Sequence, residues 1–137
     1  MKDRCHDEAM AEMFKEDPAF AVELVNSILD DGDQDDLQIA FRQIDKAGFF
    51  YRAGVLYEVA CDVIGAIIAH YSEALAQERG KPVPDAAAVE RIEAAKRALR
   101  LERDELDTSN AEAIKSVIQK YGPQARELYQ AGNGRPV

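Results

Sequence analysis

Residues 49–80 read FFYRAGVLYEVACDVIGAIIAHYSEALAQERG, a mostly apolar run far longer than a strand, interrupted by scattered polar residues and ending in the polar Gln77, Glu78 and Arg79. A helix of this length extends about 45 Å at the standard rise. That exceeds the width of a small domain, so the remaining segments must pack along it. The KPVP segment at 81–84 ends it, because proline can neither donate the helical hydrogen bond nor avoid the preceding turn. At 100° per residue most of the circumference is apolar, which predicts cover on several sides. The exception is a narrow strip of Gly54, Glu58, Cys61, Asp62, Gly65, Ala69, Ser72 and Ala76. Interior glycines cost about 1 kcal/mol each unless the space is used, and small residues at this spacing let a second helix approach closely. The strip therefore predicts a homodimer contact through Gly54, Glu58, Cys61, Asp62, Gly65, Ala69 and Ser72. A membrane span is not expected, since Arg52, Glu58, Asp62, His70 and Glu73 interrupt the ~18 apolar residues that one requires.

The flanking segments also follow the helical period. Asp17 before Pro18 is a helix start, and Phe20, Leu24, Val25 and Ile28 share a face of the segment that stops near Gly32. Asp33 or Asp35 can cap the next helix, with Leu37, Ala40, Phe41 and Ile44 as its stripe and Gly48 as its terminator. A short amphipathic segment with Met10, Met13 and Phe14 precedes Pro18. After Pro84, Asp85 caps a helix that turns Val89, Ile92, Ala95, Leu99 and Leu106 inward and pairs Glu93 with Arg97 and Arg100 with Asp104 outside. Ser109 and Glu112 are spaced as a capping box for a helix ending at Tyr121 and Gly122. Pro123 opens a last short helix before the tail AGNGRPV, where fraying is expected. No alternating β-rich run appears. The expected fold is all-α, a compact helical bundle of about five to six helices around one long apolar central helix.

Charge divides the chain. Residues 1–47 carry 13 acidic and 5 basic side chains, and the remainder carries 13 and 12, so nearly all of the formal charge of −9 lies in the first third. This suggests an acidic helical region, 1–47, joined to a helical bundle region, 48–137. Phosphate backbones are repelled by such a protein and a basic partner is attracted, so direct nucleic-acid binding is not expected. Cys5 and Cys61 fit no metal or redox spacing, and MKDRCHDEAM lacks the apolar run of a signal peptide, which predicts a reduced, cytoplasmic protein.

Candidate chemistry concentrates in NSILDDGDQDD, residues 26–36. Asp31, Asp33 and Asp35 match loop positions one, three and five of a calcium-binding EF-hand. Position six, however, is Asp36 instead of glycine, and position twelve is Arg42 instead of a bidentate glutamate. Helix capping and dipole compensation account for two or three of the acids. The surplus makes Asp30, Asp31, Asp33, Asp35 and Asp36 candidates for contact with a partner. Glu58, Asp62, His70 and Glu73 do not form the Glu-x-x-His pattern of a bundle metal site. The pairs Glu90/Glu93 and Glu102/Glu105 admit a magnesium site, but such spacing arises readily on a charge-laced helix face. Cys5 and His6 have no sequence neighbour that would make a nucleophile. Neither a cofactor, a metal nor catalysis is expected.

HDEAMAEMFKEDPAFAVELVNSILDDGDQDDLQIAFRQIDKA, residues 6–47, resembles the opening of the addiction-module antidote proteins, the HigA-like antitoxins. The matching features are the acidic start, F-K-E-D-P, N-S-I-L followed by D-D-G-D, and L-Q-I-A-F-R-Q-I. The family continues into a helix-turn-helix that reads an operator, whereas here Gly48 leads into FFYRAGVLYEVACDVIGAII, without a polar turn or recognition helix. The resemblance implies an antitoxin-like protein that neutralises a basic, ribonuclease-type toxin by direct binding. One alternative is a phage or mobile-element inhibitor of anti-CRISPR type that blocks a nucleic-acid groove on its target. A second is a helical, magnesium-dependent nucleotide pyrophosphatase.

Overall fold

A computed structural model describes residues 2–133, with side chains described for 6–48 and 54–128. Six helices follow in order: α1 (Lys2–Glu16), α2 (Pro18–Asp31), α3 (Gln34–Ala47), α4 (Phe49–Arg79), α5 (Ala86–Asp104) and α6 (Ala111–Asn133). No strand occurs among the described residues. The fold is an all-α bundle organised on α4. Helices α2, α3, α5 and α6 pack against it, and α1 lies across α3 and α2.

Local chemistry accounts for most of the helix ends. The Asp17 carboxylate accepts from the Phe20 N–H ahead of Pro18. Asp33 accepts from the Asp36 N–H at 2.9 Å while Asp36 accepts from the Asp33 N–H at 3.2 Å, which closes a capping box on α3. Asp85 accepts from Ala87 and Ala88. Gly48, between α3 and α4, has φ +117°, a conformation side chains rarely adopt.

Three local expectations are corrected. Ser109 does not cap α6. It donates to Asp107 instead, and Asn110 accepts from the Ala113 N–H. Gly122 and Pro123 do not separate two helices, since α6 continues through Pro123. Proline's missing N–H is tolerated because tertiary contacts hold both flanks, with buried Tyr121 before it and Ala125 and Leu128 packed on the core after it. The segment before Pro18 is a helix of 15 residues rather than a short one. The tail residues 134–137 and the Cys5 side chain lie outside the described residues.

One core runs through the molecule. Phe14 of α1, Val25 of α2, Leu37 and Ile44 of α3, Leu56, Val59, Ile64 and Ile67 of α4, and Ile114 and Ile118 of α6 are fully enclosed. The α3 stripe is buried as expected, whereas Phe20, Leu24 and Ile28 of α2 are only partly covered. Met13 points outward, 48% exposed. On α5 Leu99 alone is buried and Val89, Ile92 and Ala95 are half-buried, as is Leu106 just beyond the helix end at Asp104, because α5 has α4 as its principal neighbour. By length and composition Gly54–Arg79 does meet the requirement for a bilayer span, despite its interrupting charges, with 33% of that window buried. Its apolar side chains form the centre of the bundle.

Polar clasps tie the outer helices down. Asp7 of α1, buried at 5% exposure, accepts from Arg42 at 2.7 Å and from Gln43 at 3.1 Å on α3. These hydrogen bonds, the Arg42 one foremost, hold its carboxyl below the ordinary aspartate range. Lys115 of α6 reaches Asp45 of α3 at 2.9 Å. The Tyr121 hydroxyl of α6 donates to Glu102 of α5.

Candidate functional site

The aspartates flagged in the sequence all lie at the exposed corner where α2 passes into α3. Their roles differ. Asp33 and Asp36 are partners in the capping box, so Asp36 is a helix-stabilising residue as well as a surface charge. No hydrogen bond or ion pair holds Asp30, Asp31 or Asp35 among the described residues; Asp35 complements the dipole in the first turn of α3, and Asp30 and Asp31 have no comparable role. The corner is tied to α6 and closely packed. Gly32 accepts from Arg126 Nη1 of α6 at 2.8 Å, and a Cβ on Gly32 would press within 2.9 Å of the Ile28 side chain.

Two apolar hollows flank this corner and share Ile28. The larger, about 400 Å³, is lined by Ile28, Leu29, Leu37 and Pro123, with Asp33, Glu127 and Arg126 at its polar edge. The other, about 300 Å³, is formed by Met10, Leu24, Ile28, Ile39 and Ala40, with His6, Asp36 and Gln43 beside them. Ile39 is 41% exposed, an apolar side chain left in solvent beside the acids. Asp33 thus borders one hollow and its capping partner Asp36 the other. Concave apolar surface rimmed by a few polar groups is the usual form of a binding site.

Sequence reasoning found the acids and missed the hollows. Leu29, Pro123 and Arg126 carried no signal, because the site joins α2–α3 to a helix about 90 residues later in the chain. Ile39 was the one legible clue, being an apolar residue off the α3 stripe.

The strip on α4 is on the outside of the bundle. Gly54, Glu58, Asp62 and Ala69 are exposed, and Cys61, Gly65 and Ser72 half-buried. A Cβ added at Gly54 or Gly65 would meet nothing within 4 Å, so among the described residues no neighbouring helix occupies the space. Asp62 does have a partner, accepting from Asn26 of α2 at 3.2 Å.

The carboxylates considered for metal chemistry are dispersed or paired with cations. Glu90 faces Arg97 at 3.0 Å, Glu93 faces Arg79, and Glu102 holds Lys120 at 3.6 Å together with Tyr121. The expected pairs Glu93–Arg97 and Arg100–Asp104 are therefore replaced. Glu93 is drawn across to α4 by Arg79, and Asp104 lies beside Arg103 at 3.9 Å. Among the described residues no group of three or more His, Cys, Asp or Glu side chains converges. No family model, curated protein or solved structure matches the chain.

Proposed function

We propose that this chain is a non-catalytic, antitoxin-like binding module that neutralises a basic protein partner, such as a ribonuclease-type toxin, by direct contact in the cytoplasm. One observation carries the reading. Asp30, Asp31 and Asp35 stand without fold partners beside two apolar hollows that share Ile28. Acids of this kind steer a cationic partner, and apolar hollows supply the lasting contact energy. The same surface would serve an inhibitor that fills a nucleic-acid groove on its target, and the captured partner's identity decides between the two.

The test is affinity capture from the native cell with the wild-type chain and with an Asp30→Asn, Asp31→Asn, Asp35→Asn variant. A basic protein retained by the wild type, with association slowed and its salt dependence flattened in the variant, is the expected result. Identical capture and kinetics for the two chains would sink the reading. Self-association through the α4 strip is a second reading, favoured by the open space over Gly54 and Gly65.

A further inference from the structure

Away from the acidic corner, the seam between α4 and α5 gathers several cations in one place. A hollow of about 250 Å³ between the two helices is lined by Leu75, Arg79, Glu93, Lys96, Arg97 and Arg100, which is four cations against one carboxylate. Two of the cations are engaged, Arg79 with Glu93 and Arg97 with Glu90. Lys96 and Arg100 have no ion pair among the described residues, although they sit four apart on one helix, a spacing at which like charges repel. Asp104, the carboxylate spaced to neutralise Arg100, lies beside Arg103 instead. In a chain of net charge −9, this leaves Lys96 and Arg100 as two adjacent positive charges that no carboxylate pairs among the described residues.

We propose that this hollow binds the phosphate groups of a small phosphorylated ligand, of the di- or triphosphate class. Guanidinium groups match phosphate oxygens in paired hydrogen bonds, and a lysine adds a point charge beside them. Glu93 holds Arg79 at one wall, which leaves Lys96 and Arg100 as the cations open to a ligand. Its size suits a few phosphates, and the net charge of −9 on the whole chain opposes a long polyanion. Bound there, the ligand would bridge α4 to α5, the helix with the least buried side of the bundle. The site is independent of the partner-binding reading.

The test is a titration of the isotopically labelled full chain with sodium tripolyphosphate at constant ionic strength, followed by amide chemical shifts and by thermal melting. Saturable shifts confined to the surroundings of Arg79, Lys96, Arg97 and Arg100, with a rising melting temperature, are expected. Lys96→Gln, at a half-buried position, and Arg100→Gln, at an exposed one, should each weaken binding about tenfold while melting normally without ligand. Two further arms use sodium sulfate and a twelve-nucleotide single strand. Non-saturating shifts, an equal response to sulfate, or unchanged affinity in both variants would overturn the proposal. Tighter binding of the oligonucleotide than of tripolyphosphate would overturn it in favour of a nucleic-acid backbone.

Discussion

Helices α3 and α5 are both amphipathic, yet they are held in different ways. In its 14 residues α3 buries six side chains, among them Leu37, Phe41 and Ile44, because α1, α2 and α4 enclose it. In its 19 residues α5 buries only Leu99, and its half-buried face rests on α4 with the Arg79–Glu93 ion pair across the seam. The difference teaches that an apolar stripe states which way a helix faces, whereas the number of neighbours sets how much that stripe is worth.

The largest expected effect breaks the comparison at its core. Phe41→Ala on α3 should cost ~3–5 kcal/mol in denaturant unfolding, against about 1 kcal/mol for Ile92→Ala on α5. Native-state hydrogen exchange should also release α5 amides before those of α3. Equal losses, or simultaneous exchange, would show that α5 is as firmly embedded as α3.

Next in size is the clasp that secures α1 to α3. Asp7→Ala removes the acceptor of Arg42 and Gln43 and should cost ~1–3 kcal/mol. Since the folded-state carboxyl titrates below the ordinary 3.8, its stabilisation is full above that value and is lost as pH falls through the lowered one. The gap between wild type and variant should therefore close only in strong acid. A gap that closes near neutral pH would place the effect on another group.

A smaller contrast separates the aspartates. Asp33→Ala opens the capping box of α3 and should cost ~0.5–2 kcal/mol, while Asp30→Asn with Asp31→Asn should stay within about 0.5 kcal/mol. A large loss in the double variant would make the whole cluster structural. Smallest is a gain. Gly65→Ala on the open strip of α4 should stabilise the monomer by ~0.5–1 kcal/mol. Sedimentation of Gly65→Leu should then show loss of any dimer formed through the strip, and an unaltered dimer would remove the strip from the interface.

Much was legible because the signals were local. Asp17, Asp33 and Asp85 at helix starts, and Gly48 at positive φ, act through atoms within a few residues, so residue type and spacing suffice to locate them. The α3 stripe and the central position of α4 follow from periodicity alone. The candidate site was half legible. Its charges show in the chain, whereas its hollows depend on Pro123 and Arg126 reaching the α2–α3 corner.

What the sequence by itself determined is therefore the helical class, most helix ends, and the acidity of the first third. What only the tertiary structure decided is which of several possible partners each group takes. Glu93 chooses Arg79 on α4 over Arg97 on its own helix, and α6 runs through Pro123 because both flanks are packed. Asp7, one acid among many in the sequence, becomes a buried clasp because α1 crosses α3. The physical reason is range. Caps and periodicity are fixed by neighbours along the chain, while burial, ion-pair choice and concavity depend on elements that meet only after folding.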